Sequence, residues 1–163
     1  MKKIYLLFFV LGIFSISWGQ LKAKAICPGF IVDILNGNVN AVKANFTLEE
    51  IKEKFPCFTS TEDAGTTSKC GAGVFYKDKD LYFFTQRSYI EIGEKFKGKL
   101  SIPLLGASRN SLFKWLGNPK IKDDTWDAFE MAYGTLVIHY NSLGKVKFIQ
   151  FSNKSTDTLS LCE

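Results

Sequence analysis

Four cysteines, Cys27, Cys57, Cys70 and Cys162, lie downstream of an N-terminus with the anatomy of an export signal, and this combination restricts the fold more than any other feature. Lys2 and Lys3 form a short positive region, and Ile4 to Ile16 an apolar run broken by Gly12 and Ser15. Ser17-Trp18-Gly19 then sets small residues at the flanks of a cleavage site ahead of Gln20. The run is shorter than the ~20 apolar residues of a membrane span. Residues 1–19 are therefore expected to be a cleaved signal peptide, rather than a retained anchor, with no membrane span left in the mature chain. Export would carry all four cysteines into an oxidising compartment, periplasmic or extracellular, where an even set pairs.

Three pairings are open to four cysteines. Cys57 and Cys70 flank a polar, glycine-containing loop, and Cys27 and Cys162 lie near the two ends of the mature chain. The expected pairs are Cys57–Cys70 and Cys27–Cys162. A metal site is disfavoured, because no two cysteines have the close spacing of a zinc knuckle and the single histidine, His139, is distant from all of them. Cys27 is also a poor lipid-attachment site, since Ala23-Lys24-Ala25-Ile26 puts a lysine where small or apolar residues are needed.

The formal charge of +5 includes Lys2 and Lys3, and the remaining basic residues are scattered. Lys95, Lys97 and Lys99 alternate with Phe96 and Gly98, while Lys120 and Lys122 sit beside Asp123 and Asp124. Neither cluster makes the basic stripe of a nucleic-acid binder, so no nucleic acid is expected as a partner. Fifteen phenylalanines and six tyrosines favour strands and a large buried area.

Phe30 to Leu35, Asn36-Gly37 and Asn38 to Val42 read as a hairpin with a type I′ turn at Asn-Gly. Thr47 and Glu50 have capping-box spacing ahead of a helix carrying Leu48, Ile51 and Phe55 on one face, which Pro56 ends. Residues 59–73 read as a loop, with strands at Val74 to Tyr76 and Leu81 to Ile92. The order then recurs: a helix capped by Ser108, with Leu112, Phe113, Trp115 and Leu116 apolar, stops at Gly117-Asn118-Pro119. Lys120 to Asp124 is a polar connection, followed by strands at Trp126 to Tyr133, Thr135 to Tyr140 and Lys145 to Phe151. The expected fold class is α+β, with two tandem helix-plus-antiparallel-meander modules over residues 20–99 and 100–163.

Ser108 to Phe151 resembles the module of the small lipoprotein subunit of the outer-membrane β-barrel assembly machine. The resemblance rests on a capped helix ending Leu116-Gly117-Asn118-Pro119 and on the hairpin of Leu136 to Tyr140 with Gly144 to Ile149. Two such modules in tandem resemble the β-lactamase inhibitor protein. That resemblance implies a curved sheet, with helices on one face, that grips a partner protein.

Chemistry is sparse. No Gly-x-Ser-x-Gly elbow and no His-Glu-x-x-His helix occurs, and no cofactor motif is present. His139 sits mid-strand between Ile138 and Tyr140, and Asp123, Asp124 and Asp127 fall where turn and capping roles are common. Aromatics are the better lead. Leu81-Tyr82-Phe83-Phe84 and Tyr89-Ile90 are expected to belong to one long strand, so that Tyr82, Phe84 and Ile90 share one face and Phe83, Arg87 and Tyr89 the other. Tyr, Trp and Arg are the residue types that anchor interfaces. Tyr82, Phe84, Arg87, Tyr89, Trp126 and His139 are accordingly the candidate partner-binding residues, unless the second helix or the tail buries both faces. Two sequons, at Asn45 and Asn153, and the triplet Asp157-Thr158-Leu159 are weak modification signals. The expected function is an exported, non-enzymatic module that binds another envelope or extracellular protein through a sheet face. The alternatives are an envelope inhibitor or immunity protein directed at a toxin or hydrolase, a scaffold for envelope assembly, or a small envelope hydrolase.

Overall fold

A computed structural model describes residues 27–65 and 70–162; the expected signal peptide lies outside the described residues. Among the described residues the fold is α+β, built mostly of strands, with two short α-helices and two sheets.

The first sheet has the order β3-β2-β1-β8. Its strands are β1 (Ile31–Asp33), β2 (Asn38–Val39), β3 (Val42–Lys43) and β8 (Lys99–Leu100), the last running parallel to β1. The type I′ turn falls one hairpin later than the sequence suggests. β1 and β2 pair Asp33 with Asn38, so residues 34–37 form a four-residue loop in which Gly37 has φ +61°. Val39 pairs with Val42, and the two-residue turn between them is Asn40-Ala41, with φ +46° and +66°. Asn40 sustains that conformation with its own side chain, accepting from Ile31 N at 2.7 Å and donating to Gly29 O at 3.0 Å.

Helix α1 (Leu48–Lys54) starts with the expected capping box: Thr47 Oγ1 accepts from Glu50 N, and Glu50 accepts from Thr47 N at 2.7 Å. The cap is worth about 1 kcal/mol, and Ile51 and Phe55 are buried on the inner face. In the second half, Ser108 precedes a 3-10 turn (Arg109–Leu112) that runs into α2 (Phe113–Leu116). Ser108 makes no side-chain cap there. The tighter winding turns Phe113 outward, 63% exposed, so the expected apolar face loses that residue while Leu112 stays buried.

The second sheet has eight strands in the order β4-β5-β6-β7-β12-β11-β10-β9. They are β4 (Ser60–Glu62), β5 (Gly73–Tyr76), β6 (Leu81–Phe84), β7 (Tyr89–Ile92), β9 (Ile121–Lys122), β10 (Trp126–Met131), β11 (Gly134–Tyr140) and β12 (Val146–Ser152). All its neighbours run antiparallel. β4 and β9 are short strands in segments that read as loops from their polar composition. Their pairing partners, rather than their own residues, make them strands.

One face of this sheet carries the main core. Val74, Tyr76, Leu81, Phe83, Ile90, Ile92, Leu136, Ile138, Ile149 and Phe151 pack with Val32, Ile34 and Val39 of the small sheet and with Ile51, Phe55 and Leu112. Phe30 meets Phe55 and Tyr76 edge to face, with ring centroids 5.4 and 4.9 Å apart.

The disulfides are Cys27–Cys57 and Cys70–Cys162, so the expected pairing is wrong on both counts. The β4–β5 ladder pairs Ser60 with Phe75 and Glu62 with Gly73. Cys57, before Ser60, and Cys70, before Gly73, therefore sit at opposite ends of that hairpin. Packing of Phe30 on Phe55 brings Cys27 to Cys57, while the C-terminal tail carries Cys162 to Cys70. In the chain-entropy account, loops of 30 and 92 residues contribute roughly 3.5 and 4.5 kcal/mol.

Candidate functional site: the second face of the large sheet

The expected faces of Leu81 to Ile92 need correction, because the segment is a hairpin rather than one strand. Phe84 pairs with Tyr89 and Tyr82 with Glu91 across β6 and β7, joined by the turn Thr85 to Ser88. Cross-strand partners share a face. Tyr82, Phe84, Tyr89 and Glu91 thus point away from the main core, and Ile90 joins Phe83 within it. The missed signal was Thr85-Gln86-Arg87-Ser88, four polar residues between two apolar runs.

Registry extends this face across the sheet. Glu91 pairs with Gln150, Gln150 with Val137, Val137 with Ala128 and Ala128 with Ile121. In the next row, Phe148 pairs with His139 and His139 with Trp126. Tyr82, Phe84, Tyr89, Trp126 and His139 therefore all belong to one face.

They do not have equal access to solvent. Residues 153–162 lie over part of the face, and Phe75, Phe84 and Tyr89 form a second cluster beneath Leu161 and Cys162. Phe84 and Tyr89 stack with centroids 4.5 Å apart and are 9% and 0% exposed. Neither presents a surface. Arg87 lies in the turn and donates to Leu161 O at 2.7 Å, tying turn to tail. Tyr82, Trp126 and His139 remain half-buried, along with Glu91 and Phe148, which sequence reasoning missed.

A polar chain crosses the middle of this surface. Gln150 Nε2 donates to Glu91 Oε2 at 2.7 Å, and Gln150 Oε1 lies 3.0 Å from His139 Nε2. A carbonyl oxygen only accepts, so Nε2 of His139 carries the proton. His139 also stacks on Phe148, with centroids 4.1 Å apart and planes at 11°. Burial pushes the Glu91 carboxyl above its ordinary range, partly offset by the Gln150 donor and reinforced by Asp80. The Tyr82 hydroxyl, which donates to Asp80 Oδ1 at 3.1 Å, is likewise pushed up, by burial first and by Asp80 second.

Asp123 and Asp127 are tied into the local structure by their side chains, and Asp124 by its carbonyl. Asp123 Oδ1 accepts from Thr125 N at 3.2 Å, and Asp127, almost fully buried, is clamped by Arg109 Nε at 2.9 Å and by the Tyr140 hydroxyl at 2.6 Å. Arg109 spans from the 3-10 turn to the carbonyls of Asp123 and Asp124. Thr47 spends its hydroxyl on the helix cap, within the first sequon.

Among the described residues, no group of three or more His, Cys, Asp or Glu side chains could hold a metal ion, and no helix is long and apolar enough to cross a membrane. These features define a disulfide-bonded α+β protein with one sheet face buried and the other partly covered by its own tail. No family model, curated protein or solved structure matches this chain.

Proposed function

We propose that the chain is an exported, non-enzymatic module that binds another envelope or extracellular protein through the second face of its large sheet. The observation that carries this reading is the strip formed by Tyr82, Glu91, Phe148, His139 and Trp126. It mixes aromatic surface with satisfied polar groups and is half-buried on a rigid ladder, the composition and preorganisation of an interface core. Phe84, Arg87 and Tyr89 support the strip from beneath or beside the tail rather than touching the partner. Export is supported by two disulfides together with the N-terminal signal pattern.

The same proposal includes a tandem organisation, which the order of the elements supports. A helix followed by β4 to β7, and then a helix followed by β9 to β12, place two four-strand meanders side by side. In this reading the first module ends near Lys99 and the second begins near Leu100. Engagement of an envelope enzyme would make the protein an inhibitor, and engagement of assembly components would make it a scaffold.

Affinity capture from envelope extracts tests the proposal with Tyr82→Ala and His139→Ala, against Leu143→Ala in an exposed hairpin loop. A stoichiometric partner retained by wild type and Leu143→Ala but lost by the two face variants supports the reading. Capture that is indifferent to the face variants, or a turnover abolished by His139→Ala in a folded protein, overturns it.

A further inference from the structure

Residues 153–162 cover part of the second face without entering it, and none of them is fully buried. The sheet residues they cover are. Phe75, Phe84 and Tyr89 lie closed beneath Leu161 and Cys162, and Leu159 and Leu161 border the buried Ala128 and Val137. Among the described residues no strand ladder joins the tail to the sheet. Thr135 Oγ1 donates to Lys154 O at 2.8 Å near the start of the tail, and Arg87 to Leu161 O at 2.7 Å near its end. Between them Lys120 meets Asp157 at 3.3 Å, an exposed ion pair of the kind that contributes little.

The two disulfides differ in what stands behind them. Cys27–Cys57 is backed by the core, because the neighbouring Phe30 and Phe55 are buried and meet edge to face. That packing holds the two ends together with or without the bond. Cys70–Cys162 is backed on one side only. Cys70 leads into the buried Ala72 and Gly73 of the sheet, whereas Cys162 follows a half-exposed Leu161. Here the bond takes the place of packing. A segment that buries little apolar surface detaches at low free energy. The sheet itself, with its main core on the opposite face, does not depend on the tail.

We propose that Cys70–Cys162 is a redox latch. Oxidised, it holds residues 153–162 on the sheet; reduced, it lets them lift and opens an apolar surface of Phe75, Phe84, Tyr89, Ala128 and Val137 beside Tyr82 and Trp126. The reductant is a dithiol. One of its thiolates attacks a sulfur of the bond and the other cysteine leaves as a thiolate; the second thiol of the dithiol then resolves the mixed disulfide. Two electrons and two protons pass to the protein, giving two cysteine thiols and an oxidised dithiol. Neither Cys70 nor Cys162 is fully buried, which leaves the attack a path. An oxidising compartment keeps the latch closed until such a dithiol meets it. The latch is a property of the tail and does not depend on what the open strip binds.

The disulfide-bonded protein is treated with dithiothreitol, and alkylation with peptide mapping reads the state of each bond. Tryptic cleavage after Lys154, binding of a hydrophobic dye and amide exchange in β10 to β12 are followed together. Cys70→Ser/Cys162→Ser, with Cys27–Cys57 intact, supplies the open state without reductant. Opening is expected to speed cleavage after Lys154 about tenfold or more, since cleavage follows the population of the detached tail. Dye binding should rise, the β10 to β12 amides should stay protected, and reoxidation of the wild type should reverse both changes. Unchanged cleavage and dye binding overturn the latch, because the tail then holds without the bond. Lost protection across β10 to β12 overturns it too, because the bond is then a staple of the whole fold. Dithiothreitol also reaches Cys27–Cys57, so the double variant decides wherever the two samples disagree. None of these results bears on the capture experiment, which reads Tyr82 and His139 in the oxidised protein.

Discussion

Cys162 is bonded to Cys70 across 92 residues of sequence, and the bond holds Leu161 down on Phe84 and Tyr89. The tail is thereby part of the second face rather than an appendage to it. Replacing both cysteines with serine should cost roughly 4.5 kcal/mol in urea denaturation. It should also uncover Phe84 and Tyr89, read as increased binding of a hydrophobic dye under native conditions. Serine at Cys27 and Cys57 should lower stability without that dye response. Peptide mapping of the non-reduced protein should recover Cys27 with Cys57 and Cys70 with Cys162.

Asp127 receives two hydrogen bonds from Arg109 and one from Tyr140 in a nearly closed environment. Removing the carboxylate leaves a guanidinium and a phenol without their acceptor. Asp127→Ala should therefore destabilise by about 3 kcal/mol, at the upper end for hydrogen bonds to charged groups. Asp127→Asn, which keeps one acceptor, should cost less. Thermal unfolding of the two variants gives the order.

The raised Glu91 carboxyl makes a pH prediction with a definite sign. A group whose folded pKa lies above its unfolded value binds more protons when folded, so its stabilising contribution is complete below the unfolded pKa and is lost as pH rises through the folded one. Wild type should therefore lose stability relative to Glu91→Gln as pH increases from the ordinary glutamate value of 4.5. Urea midpoints of the two proteins between pH 4 and neutrality should diverge upward in pH, with the variant ahead; parallel profiles would remove Glu91 as the cause.

Tyr82 and Phe84 sit two residues apart on the same face and should behave differently. Phe84→Ala empties a packed position and should cost about 3 kcal/mol of stability. Tyr82→Ala should cost far less in folding and more than about 1 kcal/mol in partner affinity. Parallel denaturation and binding measurements on the pair separate a supporting residue from a contact.

Much of the fold is legible in local chemistry. Thr47 and Glu50 announce α1, Gly117 its counterpart's end, and alternating apolar residues the strands β10 to β12. What local chemistry does not carry is the choice between near-equal alternatives. Asn36-Gly37 and Asn40-Ala41 both lie in turns, and the Asn40 side-chain bonds to Ile31 and Gly29 accompany the two-residue turn at the second rather than the first. Leu81 to Ile92 could be one strand or two, and only pairing puts Tyr89 beside Phe84. Disulfide partners depend on which ends of a ladder the cysteines occupy, a tertiary fact. At the site, Trp126, His139 and Tyr82 are visible as residue types. Glu91 and Gln150 are not, because their roles come from registry.

The two four-strand meanders meet edge to edge where β7 pairs with β12, matching Ile92 to Ile149 and Tyr89 to Ser152. Every other neighbour in the large sheet follows its partner directly in the strand order. A ribosome releases β7 well before β12 exists. Until the last strand emerges, the nascent chain carries Tyr89 to Ile92 as an open backbone edge bordered by apolar side chains, a template for pairing with a neighbouring molecule. Truncation before Val146 would leave that edge permanently open, and the resulting product would be an aggregate rather than a smaller domain.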